Sequence, residues 1–502
     1  LTAVQRSNVL NNIDMIATSF DNEIYTKVRD VFGSEWSPGI DNDVKITILA
    51  ARMQDNLGGY FREEDQFYRS QIPNSNQREM FYINTNFLGS TRQLEAFLAH
   101  EFQHLIHFNQ KNRLLNTRSE TWLNEMMSEV APTVAGLNDS YSGSNLQSRI
   151  QSFTNTPSDA ITRWNNNQED YSAISAFGHY LLGQYGVEFY KALVQSTEEG
   201  IGAVNDALAG IGAPERFGAV FNNWVVASLV NNCNVTPFDT FCYSLPSLTY
   251  NNLHISFQSG TEGGKRVSST ETTFPWQGNW FSYSRAFQSE LPQDHILVYT
   301  IDKPSGYEFS VPYVIYPKTG QPQVFYAEFS GNRSRFYIEE FGYNVDELVV
   351  MPVFELNDDR TPLVNYSLVA ELATAIPTDA TQVQPASDVS VTLPEGALVR
   401  AEGDEKVYII KGKYKRWVQT AEIFNMYGHL RWEDVITVAP EVLEDYTEST
   451  VVSAAGDERV FFVSLNGRKR WIQTEQELFD LGFNFDMVYT INERELNYYQ
   501  QI

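Results

Sequence analysis

His100-Glu101-Phe102-Gln103-His104 lies in a stretch where Leu94, Phe97, Leu98, Leu105 and Ile106 recur at helical spacing. On a helix, residues four apart project about 40° from one another, so the two imidazoles share a face. That places two nitrogens where one zinc ion can accept both. Glu101 follows the first imidazole directly and diverges from the pair. It can therefore sit beside a metal and take a proton from water. A third ligand is still required, and it must come from outside this helix.

Working outward, Ser90-Thr91-Arg92-Gln93 fits a capping box that starts the helix at Ser90. Thr117-Arg118-Ser119-Glu120 fits another, opening a second helix with Trp122, Leu123, Met126, Met127 and Val130 on its apolar face and Pro132 limiting its end. Glu120, Glu125 and Glu129 on this segment are all candidates for the third ligand. Glu120 already has a role as capping partner. Glu125 and Glu129 are four apart and share a face, so one can bind metal while the other orients a ligand imidazole.

Trp122-Leu123-Asn124-Glu125 about twenty residues beyond the H-E-x-x-H segment resembles the gluzincin zinc peptidases. With Ser128-Glu129 added, the pattern is most similar to the hyicolysin-like neutral metalloproteases, which have a thermolysin-like active site. The resemblance covers residues 40–230 and is carried by residues 94–131. It implies that His100, His104 and Glu125 bind zinc. It implies that Glu101 is the general base and then the proton donor to the leaving amine. Glu129 falls where thermolysin-like enzymes place an acidic partner for the first histidine. The aminopeptidase segment Gly-Ala-Met-Glu-Asn is absent upstream, which disfavours an exopeptidase.

Other candidates come from position along the chain. Tyr171 opens a helical stretch to Tyr185 and is the expected oxyanion donor, with His179 the weaker choice. His107 extends the histidine series, but its angle suits a surface or packing role. Gly58-Gly59-Tyr60-Phe61 reads as a turn into a short strand, where small residues let a peptide approach and add as a strand; Gly58, Gly59 and Tyr60 are the substrate-binding candidates.

The expected fold is multidomain α+β. A gluzincin catalytic domain spans residues 1–245, with strands Val44 to Leu49 and Met80 to Asn84 among residues 1–90 and a helical lobe over 91–245. Short alternating segments rich in aromatic and β-branched residues predict a β-sandwich over 246–372. An aperiodic linker covers 373–396. Two α+β repeats follow, 397–449 and 450–502: Gly403 to Tyr408 matches Gly456 to Phe461, and Lys415-Arg416-Trp417 matches Lys469-Arg470-Trp471. The basic residues of the repeats could face a glycan or envelope polymer. The bland reading, favoured for Trp417 and Trp471, is that they fill the hairpin core.

The composition narrows the functional classes. The 36 Lys+Arg against 63 Asp+Glu give a net charge of −27, which repels phosphate backbones and argues against nucleic acid and anionic lipid. No apolar run is long enough to insert in a membrane. The acidic surface would tolerate divalent cations such as calcium, but no motif calls for one. Leu1 to Asn8 carry neither an initiator Met nor a charged-then-apolar leader, as in a processed chain. Cys233 and Cys242 form either a local disulfide or two buried thiols. These features fit a bacterial extracellular or cell-surface zinc endopeptidase acting on protein or peptide. The alternatives are a surface or assembly protein with a vestigial peptidase domain, and an aminopeptidase.

Overall fold

The computed structural model describes residues 2–501 apart from 56, 88–90, 234, 236–239, 256–258, 263–265, 285–294, 357–361, 384–392, 402, 429, 439, 445, 458 and 465–466. Ser90, Asn234, Pro237, Glu458 and much of the expected linker therefore lie outside the described residues. The chain divides into two compact units, Leu1–Val383 and Gln384–Ile502. The expected boundary at 245/246 falls inside the first.

The first unit begins with helix α1 (Ala3–Ser19), a π turn (Phe20–Ile24) and α2 (Tyr25–Phe32). A three-stranded sheet follows, formed by β1 (Thr47–Ala51), β2 (Gly59–Phe61) and β3 (Met80–Asn84). Its order is β1-β3-β2, with β1 parallel and β2 antiparallel to the central β3. All five residues of β3 are buried, as expected for a strand covered on both faces. β2 is an edge strand.

Helix α3 (Thr91–His107) packs against β2 and β3 and carries the histidines. It runs on into a π turn (Phe108–Leu115) that ends at Asn116 in the left-handed conformation. From that turn the buried Lys111 ammonium donates to the carbonyls of Ser196 (2.5 Å) and Leu193 (3.4 Å). It thereby caps the C-terminus of another helix, where cations are favoured. Helix α4 (Thr121–Val134) packs along α3. The expected capping box at Thr117 does not form: α4 starts four residues later, and the Glu120 carboxylate accepts from the Trp122 indole instead. Pro132 does not end α4 but lies inside its last turn.

The helical lobe is completed by α5 (Asn145–Asn155), α6 (Gln168–Gln195), α7 (Gly200–Gly210) and α8 (Phe217–Val230). Asn167 and Asp170 form a capping box at the start of α6, and Gly186, at φ 67°, breaks the helix where a side chain would be strained. Cys233 and Cys242 are disulfide-bonded.

Two five-stranded sheets follow. One is ordered Gln323–Tyr326, Pro312–Pro317, Val345–Val350, Phe281–Ser284, Ser259–Glu262; the other Thr381–Gln382, Arg333–Ile338, Ile296–Asp302, Val364–Ala373, Arg266–Thr273. They share a core in which Tyr313 of the first stacks on Phe336 of the second at 4.4 Å. Thr381–Gln382 shows that part of the expected linker is paired to a sheet. Trp280 joins these sheets to the helical lobe, its indole donating to the Val225 carbonyl of α8.

The second unit holds two sheets of the same strand order. The first runs Ile436–Val438, Leu398–Ala401, Val407–Lys411, Tyr414–Val418, Thr447–Glu448; the second runs Tyr489–Ile491, Val451–Ala454, Val460–Val463, Arg468–Ile472, Gln500–Gln501. One core includes residues of both repeats. The expectation that the tryptophans are core is corrected: Trp471 is 44% exposed and Trp417 is half-buried. Strand alternation explains Trp417, because Arg416 turns inward to a fully buried Glu495 at 2.6 Å; in the second repeat the buried Ile472 sends its neighbour Trp471 outward. The other cations named for the repeats are also engaged: Lys415 donates to Leu443 O, Lys469 to Leu496 O, and Arg470 to Glu477.

Candidate metal centre

α3 and α4 lie side by side, so one turn of each faces the other. His100 Nε2 lies 3.3 Å and His104 Nε2 3.5 Å from Glu125 Oε2. One ligand atom from each of the three residues falls within 4.8 Å of the others. Ligands about 2.0–2.1 Å from a tetrahedral ion stand roughly 3.3–3.5 Å apart, so both imidazole–carboxylate spacings suit a zinc site. Glu125 Oε2 is buried and faces the two imidazole nitrogens at 3.3 and 3.5 Å, so a cation held among the three would meet its charge. The donor set of two imidazoles and one carboxylate suits zinc.

Each ring is held from behind. His100 Nδ1 lies 3.5 Å from Glu129 Oε1. Glu129 in turn accepts from Arg149 Nε at 2.9 Å and Arg149 Nη2 at 2.7 Å, a two-pronged bond from α5. His104 Nδ1 meets Asn124 Oδ1 at 3.2 Å and Ser128 Oγ at 3.1 Å. Both contacts leave the Nε2 atoms aimed at Glu125. Phe61 of the edge strand lies flat against the His104 ring, with centroids 6.5 Å apart.

The electrostatics follow from this packing. Burial works to lower His104, but the Glu125 carboxylate and then Glu101 raise it to about 9. Burial would raise Glu125, yet the two imidazoles hold it well below the usual carboxylate range. Burial pushes the Glu101 carboxyl upward, against the pull of the His100 and His104 rings. A raised carboxyl is a better proton acceptor than an ordinary one.

Glu101 faces the edge strand. A Cβ on Gly59 would stand 2.6 Å from the Tyr82 carbonyl oxygen and 3.0 Å from Glu101 Cγ, so only glycine lets β2 come this close. At Gly58 the same test meets the Phe97 ring at 2.4 Å, a packing contact. Tyr60 stacks on Tyr82 across the strand pair, with centroids 4.3 Å apart. Tyr171 sits beneath the Arg149 guanidinium, 4.8 Å from its ring centroid. Burial, and then Glu125 and Glu129, push its phenol upward. Its hydroxyl donates to Asn166 Oδ1 at 3.3 Å.

His179 is not brought to the site. Its nitrogens are taken up by Thr133 Oγ1 (2.6 Å) and the Ser175 carbonyl (2.7 Å), so it is a core histidine. His107 is buried on the helix, and neither ring nitrogen has a hydrogen-bond partner. Sequence reasoning assigned no role to Arg149, Asn124, Ser128 or Phe61. Asn124 and Ser128 are four apart and each directly precedes a glutamate of the site, a spacing that could have flagged them. Nothing local marks Arg149.

No protein-family model matches the chain. Over 221 residues it is 28% identical to the neutral metalloprotease ShpI of Staphylococcus hyicus, covering 38% of this chain and 47% of that protein. The chain thus spans about half the length of this curated relative. The similarity supports a metalloprotease family at most. Among solved structures, the pre-peptidase C-terminal domain of a Bacillus anthracis collagenase aligns with 24% of this chain and 97% of its own, at 6% identity and a TM-score of 0.16. A GH115 4-O-methyl-α-glucuronidase aligns with 65% of this chain and 51% of its own, at 12% identity and a TM-score of 0.14. Among the described residues no helix is long and apolar enough to cross a membrane.

Proposed function

We propose that the chain is a zinc-dependent endopeptidase acting on protein or peptide substrates outside the cell. One observation carries the reading: one ligand atom each of His100, His104 and Glu125 lies within 4.8 Å of the others, on the helix whose Glu101 lies against Gly59 of an edge strand. His100, His104 and Glu125 would hold the ion. Bound zinc supplies Lewis-acid chemistry, acidifying water and polarising the scissile carbonyl. Glu101 takes the proton of the attacking water and passes it to the leaving nitrogen. β2 offers its free edge to an extended peptide, and Gly59 sets the approach to Glu101. Tyr171 is the candidate donor to the developing oxyanion. Glu129 and Arg149 fix the His100 ring, and Asn124 and Ser128 fix that of His104.

The test is Glu101→Gln, which keeps the shape of the site and removes the base. The variant is expected to retain zinc and lose casein cleavage. Casein cleavage at the parental rate would refute the assignment.

A further inference from the structure

The strap between α5 and α6, residues 156–167, is fastened on two sides. Toward the two-sheet part of the unit, Ala160 pairs with Gln277 in an antiparallel bridge. The Ile161 amide donates to the Trp276 carbonyl at 3.1 Å, and the Ser158 hydroxyl to the Gly278 carbonyl at 2.7 Å. The Arg163 guanidinium lies over the Phe274 ring at 4.1 Å. Toward α6, the Asn165 and Asn167 amides both donate to Asp170 Oδ2 at 2.9 Å, with Asn166 between them at φ 59°. That is left-handed backbone, which asparagine adopts more readily than most residues. The strap also holds Tyr171. The Trp164 ring stands edge-on to it at 4.9 Å, and Asn166 Oδ1 accepts from its hydroxyl at 3.3 Å.

One contact of the strap joins two acids. Asp159 lies on the strap and Asp170, 1% exposed, in the first turn of α6; their carboxyls face each other at hydrogen-bonding range. Asp159 Oδ2 and Asp170 Oδ1 are buried, and no donor among the described residues reaches either. Ionised carboxylates only accept, so a bond between two of them needs a proton. Without it, two like charges are held together away from water, which is costly. Burial and then Asp170 push the Asp159 carboxyl up to about 7, the Ala160 amide pulls it down, and Glu169 pushes it up again. The neighbouring cations are engaged elsewhere: Arg163 lies on Phe274, and Arg149 donates to Glu129. Residues 274–279, which anchor the strap from the other side, carry no titratable side chain.

We propose that Asp159 and Asp170 share one proton that latches the strap and parks the Tyr171 hydroxyl on Asn166; its consequence for catalysis rests on the peptidase reading of the metal centre. A tyrosine hydroxyl has one proton to donate, so while Asn166 takes it none is offered to an oxyanion. Loss of the shared proton leaves two buried carboxylates that repel. The strap then loosens from α6, and Tyr171 is released. The sign follows from proton uptake. The latched strap holds a proton that a solvated Asp159 gives up in the ordinary carboxylate range. Low pH therefore favours the latch, and its advantage is lost as pH rises toward about 7.

The experiment is hydrogen exchange of the strap in the zinc-loaded full chain, read by mass spectrometry as a protection factor at each pH. Protection is expected to fall roughly tenfold per pH unit between about pH 5.5 and 7, the slope of one proton, and to level off above. In Asp159→Asn the carboxamide donates to Asp170 at every pH, so protection is expected to stay high and flat. A flat parental profile overturns the proposal, as does an Asp159→Asn profile with the parental slope. Calcium that restores protection at pH 8 also overturns it, since the pair would then hold a cation rather than a proton. In a peptidase assay the ratio of parental to Asp159→Asn kcat is expected to rise with pH over the same step. A flat ratio overturns the parking of Tyr171. If no peptide is cut at any pH, the peptidase reading fails, while the exchange profiles still decide the latch.

Discussion

Arg149→Leu separates support of the metal centre from the centre itself. Glu129 has a side-chain exposure of 1%, and its only ion-pair partners among the described residues are Arg149 at 2.7 Å and the His100 ring at 3.5 Å. Removing one partner of a buried pair costs on the order of 3–5 kcal/mol because the other charge is stranded. Arg149 is itself 24% exposed, so about 3 kcal/mol is expected here. A second effect adds to this. Glu129 left without Arg149 loses the two bonds that hold its carboxylate in place and so fixes the His100 ring less firmly, and loss of such outer support weakens metal binding about 10- to 100-fold. Urea denaturation of the zinc-free protein reads the first effect. Zinc competition against a chromophoric chelator reads the second. Combining Arg149→Leu with Glu129→Leu is expected to cost less than the sum of the two single changes, since both charges then leave together. A zinc-free stability within about 0.5 kcal/mol of the parent, with zinc affinity within about twofold, would refute the reasoning.

Three further outcomes follow. Gly59→Ala forces a methyl against the Tyr82 carbonyl and Glu101, and is expected to lower kcat/KM about a hundredfold while costing roughly 1–3 kcal/mol; a peptidase assay with parental rates would contradict it. His104 is raised from 6.5 to about 9, so its share of stability in the zinc-free protein is complete below pH 6.5 and is lost as pH rises through about 9. Zinc must displace that proton, so zinc affinity rises over the same window, and a flat urea midpoint between pH 6.5 and 9 would count against the His104–Glu125 pair. Glu495→Leu strands the buried Arg416 and the hydroxyls of Tyr427 and Tyr499, and is expected to destabilise the second unit by about 3–5 kcal/mol in calorimetry.

The parts of the site legible in the sequence are those set by local geometry. His100 and His104 need only a helix to share a face, and Glu101 needs only to follow the first of them. Choosing Glu125 over Glu120 and Glu129 required resemblance, because helical spacing alone treats them alike. Glu120 shows how a local rule is overridden: the π turn ends in left-handed Asn116, the backbone at Glu120 is extended, and the Trp122 indole takes the carboxylate. Arg149 matters through a contact made across the fold, so no spacing could have named it. The tryptophans of the repeats were misread for a related reason. In the first repeat a buried Arg416–Glu495 pair turns Arg416 inward and Trp417 outward, whereas hydropathy alone assigns Arg416 to solvent.

Metal content tests the central claim most directly. After dialysis against zinc and then metal-free buffer, the full chain is expected to retain one zinc per molecule, and Glu125→Ala to lose it. A parental chain that keeps no zinc, or a Glu125→Ala variant that keeps a full equivalent, would contradict a centre formed by His100, His104 and Glu125.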